Sequence, residues 1–104
     1  VLAATGNRVL ADRDPTAHAE VTAIRRACAT LDTHDLTGAT LYTSCQCCPM
    51  CYAAAYWARI GKVFYAATWD DYADLFDDAV IHQELLRPEP DRALRPEELC
   101  RGEA

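Results

Sequence analysis

The chain is short of positive charge: its 104 residues hold 10 Lys and Arg against 16 Asp and Glu, a net charge of −6. A partner held by phosphate contacts normally needs a basic patch. The one basic doublet, Arg25-Arg26, lies on a helix face and belongs to no stripe, so nucleic acid is not an expected partner. Long apolar runs are missing too. No stretch approaches the ~20 residues of a membrane helix, and no membrane partner is expected. A cationic start followed by an apolar block, the mark of a signal peptide, is also absent. The chain opens on Val1-Leu2-Ala3-Ala4 with no initiator Met, which suggests that natural sequence precedes it. There is no internal repeat and no second composition zone. One domain over residues 1–104 is expected, with residues 87–104 as an extended tail around Pro88, Pro90 and Pro96.

Cysteine, by contrast, is plentiful. There are six, four of them inside Cys45–Cys51. Six in a short chain would suit a disulfide scaffold. Here Cys45, Cys47 and Cys48 are too close in sequence to bridge readily among themselves. The helical patterning and 51% hydrophobic content predict an ordinary core. A reduced, cytoplasmic protein with a metal site is the expectation.

Along the chain, Val1–Ala4 reads as a strand or strand end and Thr5-Gly6-Asn7 as a turn. A helix is predicted from Pro15 with Asp14 as N-cap. Its apolar positions Val21, Ile24, Ala27, Cys28 and Leu31 recur at helical spacing, and it ends before Asp32. Ala39–Thr43 is a short strand bounded by Gly38. A second helix runs from Pro49 to about Arg59 and is stopped by Gly61. Val63–Ala67 is apolar throughout, as a buried strand would be. Residues 70–78 are acidic with aromatic anchors, and Ala79–Leu86 is a short helix closed by Pro88. This alternation predicts an α/β protein with helices packed on a central sheet.

The chemistry sits in Cys48-Pro49-Met50-Cys51. Proline suits the first position of a helix, so Cys48 falls at the N-cap and Cys51 at the third helical position. Residues three apart share a face, and two thiolates are half of a tetrahedral zinc site. His18, in the first turn of the earlier helix, is the candidate for a third ligand. Two helix N-termini would then converge on the metal, and their partial positive charge favours an anionic site. Three protein ligands leave one position open, as in a catalytic zinc site. A closed structural site, with Cys45 or Cys47 as fourth ligand, stays open as an alternative. Glu20 lies two residues beyond His18, on a different helical face. It need not bind the ion and is available as a proton carrier; alone, it reads as a surface carboxylate.

His18-Ala19-Glu20 together with Cys48-Pro49-Met50-Cys51 resembles the zinc-dependent cytidine deaminase superfamily, whose signature pairs HxE with PCxxC. Within it the chain is most similar to bacterial guanine deaminases, over roughly residues 1 to 86. The stretches carrying this are Asp14–Arg25, Leu41–Cys45, Tyr56–Arg59, Val63–Ala67 and Phe76-Asp77-Asp78. The resemblance implies a three-layer α/β/α sandwich with a central mixed sheet. It implies zinc on His18, Cys48 and Cys51, with Glu20 as general acid/base. It further implies hydrolytic deamination of a free base, guanine to xanthine plus ammonia, by a homodimer that swaps a C-terminal arm. The substrate contacts it suggests are Asn7, Ala19, Trp57 and Asp78. Plainer readings stand beside these: Asn7 in a Gly-Asn turn, Asp78 as a helix N-cap, Trp57 in the core or a subunit contact. Another base or nucleoside as substrate (cytosine, adenosine, transfer-RNA adenosine), or a structural zinc module, are the alternatives.

The chain departs from the family pattern in three ways. Cys47 stands where the family has Pro, and Gln46 where it has Glu. The family places a helix and a strand before the point where this chain starts. The tail from Arg87 does not visibly match the family's closing arm.

Overall fold

Two short apolar strands separated by a helix must pair in parallel, because a crossover returns the chain to the same end of the sheet. That is the frame of the computed structural model, which describes residues 1–73 and 78–103. In chain order come α1 (Val9–Asp12), α2 (Ala19–Leu31), β1 (Thr40–Cys45), α3 (Pro49–Trp57), β2 (Lys62–Ala67) and α4 (Ala79–Leu86). Single 3₁₀ turns occupy Asp70–Tyr72, Glu89–Asp91 and Arg101–Glu103. β1 and β2 pair in parallel with Leu41 opposite Val63 and Tyr42 opposite Phe64. They form a two-stranded sheet; further strands, and the third layer of a sandwich, do not occur among the described residues.

Helices α2 and α3 cover the sheet face bearing Leu41 and Val63. Val21, Leu41, Cys47 and Cys51 form one buried cluster, with Met50, Ala54 and Val63 packed against it. Ala27, Leu36 and Ala58 form a second, flanked by Ile24 and Cys28, and Ile60 touches both. Among the described residues nothing covers the opposite sheet face. Tyr42 and Phe64 stack there, ring centroids 5.3 Å apart, at 75% and 51% exposure. β2 is therefore not the buried strand its apolar sequence suggested. Alternate side chains point to opposite faces, and the described residues cover only one face.

Four local expectations are corrected. Val1–Ala4 is not a strand, since no described strand flanks it; the segment is held by Thr5 Oγ1 donating to the Ala19 carbonyl (2.7 Å) and by Ala3 packing on the second cluster. The first long helix starts at Ala19 and not at Pro15, with His18 as N-cap. Asp14 cannot cap it, because its carboxylate is taken by the Thr16 N–H (2.8 Å) and hydroxyl (2.6 Å). These bonds and the Arg25 ion pair hold the Asp14 carboxyl below the usual carboxylate range. Gly61 does not stop α3. Arg59 does, at φ 62, with Ile60 N donating to Ala55 O and Arg59 N to Tyr56 O, a Schellman turn closed without glycine. Trp57 is 85% exposed, so it is not core. α2 ends in the same kind of turn, at Asp32 with φ 52.

Where the tail begins, it folds back on α4. Arg92 Nε donates to the Glu84 carbonyl (2.9 Å), and Ala93 N donates to the Glu84 carboxylate (2.9 Å). Among the described residues no helix is long and apolar enough to cross a membrane.

Candidate metal and catalytic site

The site is assembled from the starts of two helices. His18 and Cys48 are both N-caps with extended backbone, at φ −61, ψ 155 and φ −65, ψ 167. Such residues leave the first helical N–H groups facing outward, and each presents its side chain at the helix mouth. Pro49 at the first position of α3 makes the second start abrupt. The Cys48 sulfur accepts from the Cys51 N–H at 3.4 Å, the bond a Ser or Asp cap would make. The loop leading to His18 is braced by α2 itself. Arg25 donates to Asp14 (3.0 Å) and to Thr16 Oγ1 (3.0 Å), a role invisible in a helical wheel that merely placed Arg25 off the apolar face.

These starts bring His18, Cys48 and Cys51 together, their ligand atoms all within 4.8 Å of one another. His18 Nδ1 lies 3.5 Å from Cys48 Sγ and 3.6 Å from Cys51 Sγ. Tetrahedral zinc, with bonds of about 2.3 Å to sulfur and 2.05 Å to nitrogen, requires N···S separations of about 3.6 Å. His18 Nδ1 therefore stands at zinc spacing from both sulfurs. Cys51 is fully buried and Cys48 half-buried. The two sulfurs share a hydrogen bond. The Cys51 thiol donates to Cys48, and with the N–H groups of Cys51 and Met50 it holds Cys48 well below the usual thiol range. Cys51 is pushed up by the same bond and by burial.

Cys47 lies outside this set. It is 5% exposed. Burial, the charge of Glu20 and the neighbouring Cys48 raise its thiol to about 11, and the Glu20 carboxylate accepts its hydrogen. Cys47 thus touches the half-buried Glu20, a contact that sequence spacing gave no sign of. Cys45 is also raised, by burial first and then by the charges of Glu20 and Asp78. Cys47→Pro should keep one zinc per chain by metal analysis, since Cys47 Sγ is no member of the ligand cluster. Loss of zinc in that variant would show that Cys47 binds the metal.

The remaining site expectations scatter. Ala19 and Glu20 line a cleft of about 690 Å³ along the free edge of β1. Asn7 is exposed, and its Oδ1 accepts from Val9 N at 2.9 Å, starting α1. Trp57 lines neither cleft beside the sheet. Asp78 stands at the start of α4 without a side-chain cap bond, 3.9 Å from His82 Nε2. Phe76 and Asp77 lie outside the described residues.

An α/β frame carrying a Cys₂His set on two helix N-termini defines a zinc-binding domain of the deaminase type. Residues 1–67 match the cytidine and deoxycytidylate deaminase zinc-binding region, and the chain belongs to that family. Guanine deaminase of Bacillus subtilis is 50% identical over 95 residues, covering 90% of this chain and 61% of that protein. The crystal structure of guanine deaminase from the same organism matches with a TM-score of 0.91 at 47% identity, over 95% of this chain and 64% of that one. The tRNA-specific adenosine deaminase of Agrobacterium fabrum is 46% identical over 67 residues, 64% of this chain and 44% of that protein. The chain thus has the cytidine-deaminase-like α/β fold, and it spans about three-fifths of the curated guanine deaminase it matches.

Proposed function

We propose that this chain carries the zinc centre of a hydrolytic deaminase that converts guanine and water to xanthine and ammonia. The observation that carries the proposal is the ligand geometry, three protein ligands at zinc spacing with a half-buried carboxylate two residues past the histidine. The likeness to Bacillus guanine deaminase selects the base. Zinc held by His18, Cys48 and Cys51 would supply Lewis-acid activation of water, lowering its pKa to about 7.

The protein's own groups do the rest. Glu20 takes a proton from water and passes it to a ring nitrogen; it then takes the proton of the hydroxyl newly added to the ring carbon, which becomes the carbonyl, and gives it to the departing amine. The Cys47 thiol, donating to the Glu20 carboxylate, orients it. The N–H groups at the two helix starts, Ala19 among them, face the open side of the site and help orient the base. Asp78, an acceptor when ionised, reads the ring N–H donors of guanine; cytosine and adenosine present a different pattern. Asn7 reads a second edge, which requires it to leave the Val9 N–H. Trp57, exposed on this chain, contributes to the pocket from a subunit contact. The working unit is a homodimer with residues 1–104 as one domain in each copy. In support, α3 exposes Tyr52, Tyr56 and Trp57.

Ammonia release from a panel of guanine, cytosine and adenosine tests the reading: guanine should be turned over fastest. A zinc-loaded chain that released no ammonia from any of them would support a structural zinc module. In the same assay Asp78→Ala should lower guanine turnover at least tenfold, because an unmatched buried polar edge is costly, with zinc content unchanged. If Asp78 only starts α4, the variant should instead keep its turnover and preference, and, with no side-chain cap bond to lose, change stability little.

A further inference from the structure

The sequence singled out neither Trp69 nor His82, and the mechanism above uses neither. Yet Trp69 joins two distant parts of the chain. Its indole Nε1–H donates to the carbonyl of Cys47 at 3.0 Å, the residue immediately before the Cys48 N-cap. Its backbone N–H donates to Gln46 Oε1 at 3.3 Å. Its ring packs on the imidazole of His82, centroids 4.3 Å apart and tilted by 57°. His82 Nε2 is buried, accepts and donates no hydrogen bond among the described residues, and lies 3.9 Å from Asp78 Oδ2.

We propose that Trp69 is a positioning residue that ties the loop entering the metal helix to the helix that carries Asp78. The physical case is one of fixed points. Cys48 presents its sulfur from an N-cap, so its direction depends on the peptide before it. That peptide's carbonyl is the Cys47 oxygen, and the indole N–H sets its orientation. The family's Pro would restrict the backbone at position 47; this chain has Cys there, and the indole bond supplies a restraint from outside the loop. The same ring packs against His82, one helical turn from Asp78, and so sets where α4 begins. One rigid side chain therefore sets the spacing between the metal ligands and the carboxylate proposed to read the purine. The Asp78 half rests on the function proposed above; the Cys47 half does not.

Two variants separate the halves. Trp69→Phe keeps an aromatic ring for His82 and deletes the indole N–H. His82→Ala removes the ring partner and leaves the indole bond in place. Zinc affinity of the full chain is measured by competition with a chromophoric chelator, which needs no substrate. Hydrogen exchange is followed at residues 45–51 and 79–86 in the zinc-loaded protein. Trp69→Phe should weaken zinc by about tenfold, the lower end for partners just outside the ligand set, and speed exchange at residues 45–51. His82→Ala should leave zinc affinity within about twofold, speed exchange at residues 79–86 alone, and raise KM for guanine with kcat little changed. Zinc affinity and exchange at residues 45–51 unaltered in Trp69→Phe would overturn the proposal. So would equal zinc weakening in both variants, which would mean a general loss of stability. A wild-type chain inactive on guanine would sink the function reading alone, leaving the zinc and exchange measurements to decide on Trp69.

Discussion

Glu20→Gln is expected to lower turnover by roughly 100-fold or more while zinc stays at one per chain, since general acid/base groups contribute about 10²–10⁴. Gln keeps the size and planar shape of Glu and cannot shuttle a proton. Position 20 is in the first turn of α2 but is not an N-cap, so no capping bond is lost with the charge. The acceptor for the Cys47 thiol survives as the amide oxygen, so packing around Cys47 should hold. Metal content, melting temperature and steady-state rates on guanine measured together check the expectation. Near-normal kcat would remove Glu20 from the chemistry. Loss of zinc alongside kcat would mean that Glu20 supports the ligands and not the proton transfer.

The second large effect is expected from Cys51→Ala. Cys51 is fully buried and packs with Val21, Leu41 and Cys47, so the change removes a ligand and opens a small space in the core. Removing one of three ligands should abolish stoichiometric zinc at micromolar concentrations. The loss extends to stability because metal binds only the folded chain. At free zinc a thousandfold above Kd, that linkage contributes about 4 kcal/mol. Zinc should therefore raise the melting temperature of the wild type and leave that of Cys51→Ala unchanged. Chelation of the wild type should reproduce most of the variant's loss. If Cys51→Ala kept zinc and Cys45→Ala lost it, the ligand pair would be misassigned.

Several of these residues could be placed from local rules alone. Pro49 after Cys48 marks a helix start, and helical spacing puts Cys51 on the same side as the cap. Those rules depend only on neighbouring residues, and α3 begins where they put it. The same holds for α4, observed over Ala79–Leu86. HxE and CxxC together also pointed to zinc, because the chemistry of the donors is written in residue type.

Other features lay beyond the sequence, for reasons that can be named. Whether Asp14 or His18 caps α2 depended on a competition. Thr16 claimed the Asp14 carboxylate, moving the start four residues and leaving His18 free to turn its Nδ1 toward the sulfurs. The exposure of Phe64 depended on what covers the sheet, which an apolar run cannot report. The stop at Arg59 depended on a non-glycine residue accepting a left-handed backbone within the Schellman turn. By itself, then, the sequence determined the fold class, the residue types of the candidate metal cluster and the one helix start that presents its two cysteines, because these follow from short-range sterics and donor chemistry. Only the tertiary structure decided that His18 meets sulfurs 30 and 33 residues away, that Cys47 turns to Glu20 and away from the metal set, and that Trp69 joins Cys47 to the neighbourhood of Asp78. Such contacts depend on how α2, α3 and the residues after β2 pack together, which no local rule specifies.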